Sequence, residues 1–200
     1  MRTRPIWLTA AVAGALVLTG CTTNDSLAEQ YRAGDGKGYV AGDGTITEIP
    51  AAERGERVTF NGELEAGGTT ESSTYLGQVM VVNFWYAGCA PCRAEAPQLE
   101  TLSQKYRDQG VVFLGVNVRD QAGTAMAFTD AYGITYPSIL DVNDGNAQLA
   151  FSGTVAPNAV PTTVVLDREG RVASRILGQL QDESILDTLI ASTLAETPDV

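Results

Sequence analysis

Residues 81–97 read VVNFWYAGCAPCRAEAP, and the fold turns on what Cys89 and Cys92 do there. The run before them, Val79 to Trp85, is almost continuously apolar and rich in β-branched residues. That is the pattern of a strand buried on both faces of a parallel sheet. A helix is expected to begin around Cys89 to Pro91 and to run to about Gln109. Leu99, Leu102 and Tyr106 recur at three- and four-residue spacing, and Gly110 stops it. Pro91 suits a first turn, where its missing N–H has no helical partner. Pro97 falls inside the helix and should kink it. Cys89 is thereby placed at the mouth of a helix, with Cys92 one turn deeper.

A Cys-x-x-Cys pair has three readings. A structural zinc site wants four Cys or His ligands, and this chain has three cysteines and no histidine. No metal is expected. A structural staple closing so short a loop contributes only about 2 kcal/mol in the chain-entropy model. Redox exchange is the third reading, and the physics of a helix N-terminus favours it. Free backbone N–H groups and the positive end of the helix dipole stabilise a thiolate. Lowering a thiol pKa from ~8.5 to ~7 raises the thiolate fraction at neutral pH from about 3% to about half. Cys89 is then the exposed attacker, and Cys92 the resolving thiol that breaks the mixed disulfide. No cofactor beyond the disulfide itself is needed.

The rest of the chain sets the context. Two hundred residues at 44% hydrophobic suffice for one domain with a substantial core. Twenty-four acids against 13 bases, a formal charge of −11, argue against a nucleic-acid partner. At the N-terminus, Arg2 and Arg4 precede an uncharged apolar stretch from Pro5 to Leu18. Its fourteen residues span roughly 21 Å as a helix, short of the ~30 Å hydrocarbon core. Residues 1–20 therefore read as a removable export signal. Leu18-Thr19-Gly20-Cys21 resembles a bacterial lipoprotein box, which implies lipidation of Cys21 and attachment to the cell membrane on its outer side. Residues 21–55, rich in Gly, Ala, Thr and acid, are expected to form an at least partly flexible tether, with packing on the domain the alternative for Gly38 to Pro50, and 56–200 the domain.

Within that domain, Arg57–Phe60 and Leu64 suggest a strand or hairpin turning at Gly67-Gly68. Val111–Val118 is a second buried strand, and Ala125, Phe128 and Tyr132 mark a short helix ended by Gly133. Pro137–Asp141 is a further strand, followed by a loop over Asn143-Asp144-Gly145. Thr162–Asp167 and Arg171–Leu177 make a hairpin, and a last helix opens at an Asp182 N-cap. The order predicts an α/β fold with a central mixed sheet flanked by helices, its early strands parallel and its last hairpin antiparallel.

VVNFWYAGCAPCRAEAP is followed later in the chain by Ala159-Val160-Pro161-Thr162-Thr163 ahead of a strand. Together they resemble the TlpA/ResA-like thiol–disulfide oxidoreductases of the thioredoxin superfamily, over roughly residues 57–196. The lipoprotein-like leader and the extra helix and strand after VVFLGVNV fit that branch. The resemblance implies a thioredoxin-like fold with an N-terminal hairpin extension and a helix–strand insertion. It implies a Cys89–Cys92 disulfide, a cis proline at Pro161, and a Glu95 that tunes cysteine ionisation or takes the proton of Cys92. Val160, Trp85, Ala90 and Pro91 would border the substrate. Arg93 reads as a solvated helix residue, although a cation near Cys89 would favour thiolate. Two positions depart from the pattern: Gly88 stands where the family usually has Trp, and Asn83 where thioredoxin has a buried Asp.

Ala90-Pro91 between the cysteines resembles the reducing members, which implies a reductant of exported protein disulfides. The family's usual substrate is apocytochrome c, whose Cys-x-x-Cys-His is reduced before haem attachment. A transmembrane electron donor of the CcdA type is then implied. An extracytoplasmic oxidase or isomerase is the alternative within the enzyme class. A ligand-binding lipoprotein with an inert disulfide is the alternative outside it.

Overall fold

The computed structural model describes residues 45–155 and 159–197. The expected export signal, the Cys21 lipidation site and residues 22–44 lie outside the described residues. A six-stranded mixed sheet organises the chain, in the order β1-β8-β7-β4-β5-β6. Its strands are β1 (Ile46–Glu48), β4 (Val79–Trp85), β5 (Val111–Asn117), β6 (Ser138–Leu140), β7 (Thr162–Leu166) and β8 (Val172–Leu177). Strands β4, β5 and β6 run parallel, while β7, β8 and β1 add antiparallel in turn. A separate hairpin, β2 (Asn61–Glu63) and β3 (Thr69–Glu71), lies against the far edge. There Leu64 bridges to Ile139, and Glu65 N donates to the Ser138 carbonyl at 3.0 Å. That contact covers part of the edge that β6 would otherwise leave open.

Strand periodicity sorts β4 between two cores. Met80, Val82 and Phe84 face one side, with Leu114, Val164, Phe151 and Phe60. Val79 and Val81 face the other, with Leu99, Leu102 and Tyr106 of helix α1 (Ala90–Tyr106). The same face packs Ile185, Leu186, Leu189 and Ile190 of helix α4 (Glu183–Ala195). Because side chains alternate, Asn83 and Trp85 also lie on the α1 side, at the C-terminal end of β4. The site is therefore built where the parallel strands end, the usual place for one in an open α/β sheet.

Most expected elements are present. Helix α2 (Ala122–Tyr132) ends at Gly133, whose φ of 66° is left-handed and suits glycine. Asp182 caps α4, its carboxylate accepting from Ser184 N at 2.8 Å. Helix α1 continues through Pro97. Pro97 and Arg93, whose carbonyl loses a helical partner there, both lie on the solvent face, where water can substitute. Arg57–Phe60 is not a ladder strand, and a short helix α3 (Asn146–Ala150) follows the loop after β6. Its start is held by Asp141, whose carboxylate accepts from Ala147 N at 2.7 Å and Gln148 N at 3.0 Å.

The tether reading of residues 21–55 is corrected at its C-terminal end. Ile46–Glu48 pair with Ile176–Ser174 of β8, and Ile49 N donates to the Ala173 carbonyl at 2.8 Å. Arg54 is drawn in further, its side chain only 4% exposed between Asp167 at 3.0 Å and Glu196 at 2.6 Å. Three residues of backbone ladder and the two long-range ion pairs of Arg54 override a composition that reads as linker. Arg54→Ala is expected to destabilise the domain by about 3 kcal/mol, and urea unfolding measures it. It removes both ion pairs of a buried guanidinium and leaves buried Asp167, among the described residues, with Arg171 alone as its cation.

Candidate active site

Cys89 is the N-cap residue of α1, with extended backbone, and its sulfur accepts from Cys92 N at 3.2 Å. Cys89 and Cys92 are joined by a disulfide with Cα atoms 5.2 Å apart. The cap sulfur thus lies among the orphan N–H groups of a helix start, the placement expected to favour thiolate. Contrary to the expectation of an exposed attacker, Cys89 is only 3% exposed and Cys92 2%. The pair belongs to a buried cluster with Trp85, Ala96, Ala125, Phe128 and Leu140, against which Tyr86, Ala87 and Val160 pack. The residues on either side of Cys89, Gly88 and Ala90, are exposed, while Pro91 is half-buried. Approach to the sulfur is therefore by way of Gly88 and Ala90. A side chain at Gly88 would crowd that approach, since its Cβ would lie 3.3 Å from the Tyr86 ring.

One turn beyond Cys92, Glu95 is fully buried. Its Oε1 accepts from Asn83 Nδ2 at 2.9 Å, and its Oε2 from Leu180 N at 2.8 Å. Burial pushes its carboxyl up to about 7, against the two hydrogen bonds, which favour the charged form. Asn83 also donates to Thr163 Oγ1 at 3.1 Å, two residues past Pro161. The Val160–Pro161 peptide is cis, and Val160 packs against the disulfide cluster. The hydrogen-bonded chain from Glu95 through Asn83 to Thr163 ties the helix, the central strand and the proline loop together.

Trp85 is core, 4% exposed, with its ring 4.3 Å from that of Phe128 and its Nε1 donating to Ser138 Oγ at 3.2 Å. Gly115 makes room for this pair: a Cβ there would lie 2.1 Å from Ser138 Oγ and 2.8 Å from Trp85 Nε1. A small, mainly apolar void of about 10 Å³, at the lower limit of the space one water needs, lies behind Cys92, lined by Trp85, Ala96, Leu99 and Phe128, with Asn83 and Ser138 as polar neighbours. The structure thus brings together Cys89, Cys92, Trp85 and Val160 in one cluster, with Pro161 following Val160 in the chain and Glu95 one turn after Cys92. Sequence reasoning missed Asn117 at the end of β5 and Arg119 and Asp120 in the loop after it, which hold the turn ahead of Cys89.

A family model described as Redoxin matches residues 48–190. The chain belongs to the Redoxin family. Within that family it is similar to the thiol-disulfide oxidoreductase ResA of Geobacillus kaustophilus, 34% identical over 56% of this chain and 62% of the relative. It is also similar to the thiol:disulfide interchange protein HelX of Rhodobacter capsulatus, 36% identical over 62% of this chain and 68% of the relative. The chain spans 62% and 61% of the length of the first two curated relatives it matches. Among solved structures, a DsbF homologue from Corynebacterium diphtheriae superposes with TM-score 0.66 at 30% identity, covering 77% of this chain and 96% of that one. A secreted thiol-disulfide isomerase from Corynebacterium glutamicum superposes with TM-score 0.67 at 28% identity, covering 79% and 97%. A thioredoxin family protein from Chlorobium tepidum superposes at 0.66 with 25% identity, covering 73% of this chain and all of that one. The Redoxin domain here is thioredoxin-like, with its disulfide at the start of α1. Among its described residues, no helix is long and apolar enough to cross a membrane.

Proposed function

We propose that the protein is an extracytoplasmic thiol–disulfide oxidoreductase that reduces disulfides in exported proteins. The observation that supports this best is the Cys89–Cys92 disulfide capping a helix beside a cis proline, with Glu95 buried one turn away. In the reduced protein, the Cys89 thiolate attacks one sulfur of a substrate disulfide, and the other substrate sulfur leaves as thiolate. Cys92 gives up its proton, with Glu95 the nearby acceptor, and attacks Cys89 Sγ. The substrate departs as a dithiol, the Cys89–Cys92 bond re-forms, and two electrons have passed to the substrate. The Val160 backbone, Ala90 and Pro91 border the bound segment, while Trp85, expected there too, lies in the core behind the disulfide.

The finer reading follows the family resemblance. The substrate is the Cys-x-x-Cys-His of apocytochrome c, electrons come from a CcdA-type membrane protein, and a lipid on Cys21 holds the domain at the cell membrane. Mixing the reduced domain with an oxidised Cys-x-x-Cys-His peptide tests the chemistry. One equivalent of peptide dithiol per domain is expected within seconds. A peptide that stays oxidised while the domain stays reduced contradicts it. The C. glutamicum neighbour, described as an isomerase, favours a second reading in which the disulfide is donated or shuffled. In that case the oxidised domain oxidises the reduced peptide instead.

A further inference from the structure

The turn that delivers Cys89 runs from Tyr86, whose carbonyl accepts from Cys89 N at 3.1 Å. Its central peptide groups are gripped by charged side chains from other elements. Ala87 N donates to Asp120 Oδ2 at 2.6 Å, and the Ala87 carbonyl accepts from Arg93 Nε at 2.8 Å. Asp120 is itself fixed by a reciprocal pair with Asn117. Asn117 Nδ2 donates to Asp120 Oδ2 at 2.9 Å, while Asp120 N donates to Asn117 Oδ1 at 2.7 Å. Arg119 completes the enclosure, its guanidinium 4.2 Å from the Tyr86 ring centroid. Asn117 ends β5, so the grip is anchored to the central sheet.

From this arrangement, and resting on the redox reading above, we propose that Asp120 is a positioning residue for the Cys89 thiolate. Its Oδ2 fixes the Tyr86–Cys89 turn, and its charge restrains ionisation of the sulfur that the turn presents. The half-buried carboxylate lies against the peptide two residues ahead of Cys89, in surroundings that screen less than water. Other charged or titratable groups stand on the elements packed around Cys89. They are Arg93 and Glu95 on α1, Arg119 beside Asp120, Asp130 and Tyr132 on α2, Tyr86 in the turn, and Asp141 after β6. Arg93 and Arg119 favour the thiolate, and Asp120 opposes them at the turn itself.

Two variants separate geometry from charge. Both bonds to Asp120 arrive at one oxygen, so the amide oxygen of Asp120→Asn can accept both while the charge is lost. Asp120→Ala removes bonds and charge together. The measurement is the pH profile of Cys89 alkylation by iodoacetamide in the reduced protein carrying Cys92→Ser, with melting temperature alongside. Asp120→Asn is expected to speed alkylation at pH 7 about threefold and to shift the profile toward acid, as a larger thiolate fraction requires. Its melting temperature should stay at the parent value. Asp120→Ala should show the acid shift together with a lower melting temperature. An Asp120→Asn profile that overlays the parent would overturn the charge role, and an Asp120→Ala protein as stable as the parent would overturn the grip. Equilibration of the unsubstituted protein with glutathione tests the redox reading separately, because alkylation needs no disulfide exchange.

Discussion

Replacing Cys89 by serine is expected to slow reduction of a Cys-x-x-Cys-His peptide by about a thousandfold or more, because the attacking thiolate is gone. Cys92→Ser should behave differently. Its Cys89 still attacks, but no second thiol can release the peptide, so the two remain joined as a mixed disulfide. The asymmetry follows from position. Cys89 is the cap residue, flanked by exposed Gly88 and Ala90, while Cys92 lies inside the first turn against Trp85 and Ala96. Mass spectrometry after a brief incubation with oxidised peptide reads both outcomes. Equal trapping by the two variants would contradict the assignment of roles.

Glu95 is expected to give the domain a marked pH dependence. Its carboxyl is held at about 7 by burial, against the ordinary 4.5 that it recovers on unfolding. Between those values the folded state binds the extra proton, so stability is fully present below pH 4.5 and is lost as pH rises to 7. At 1.36 kcal/mol per unit, the loss is about 3 kcal/mol, and it levels off at higher pH. Glu95→Gln removes the titrating group. Its amide can accept from Asn83 or from Leu180 N, but not from both, which costs about 1–3 kcal/mol where the native carboxyl is protonated. The variant should therefore be less stable than the parent near pH 5 and equal or more stable near pH 8. Urea unfolding across that range checks it, and parallel curves for the two proteins would refute the assignment.

The central features of this molecule were legible because they depend on local pattern. VMVVNFW is a strand wherever it is buried, and Leu99, Leu102 and Tyr106 mark one face of a helix. The two cysteines then fall at that helix's start by spacing alone. The cis peptide at Pro161 came from the family resemblance, since composition says nothing about it. What escaped was set by long-range contact. Ile46–Glu48 joins the sheet through a three-residue ladder, and Arg54 is buried by partners more than a hundred residues away. Neither leaves a periodic signal. Cys89 was expected exposed because a cap residue usually is, whereas here it is buried in a cluster against which Tyr86, Ala87 and Val160 pack. Asp120 reads as an ordinary loop acid until its carboxylate is seen on Ala87 N. Its only sequence signal is the Asn-x-x-Asp spacing of Asn117 and Asp120, which permits their reciprocal bonds.

Direction of electron flow is the central claim, and the redox equilibrium of Cys89 and Cys92 tests it most directly. Trp85, four residues ahead of Cys89 and lining the same void as Cys92, is the natural reporter. Its fluorescence would be followed in the domain without its leader, in glutathione and dithiothreitol buffers of defined poise. A midpoint at or below about −270 mV, the thioredoxin value, is the expected result for a reductant. A midpoint near −120 mV, or no transition at all, would contradict it.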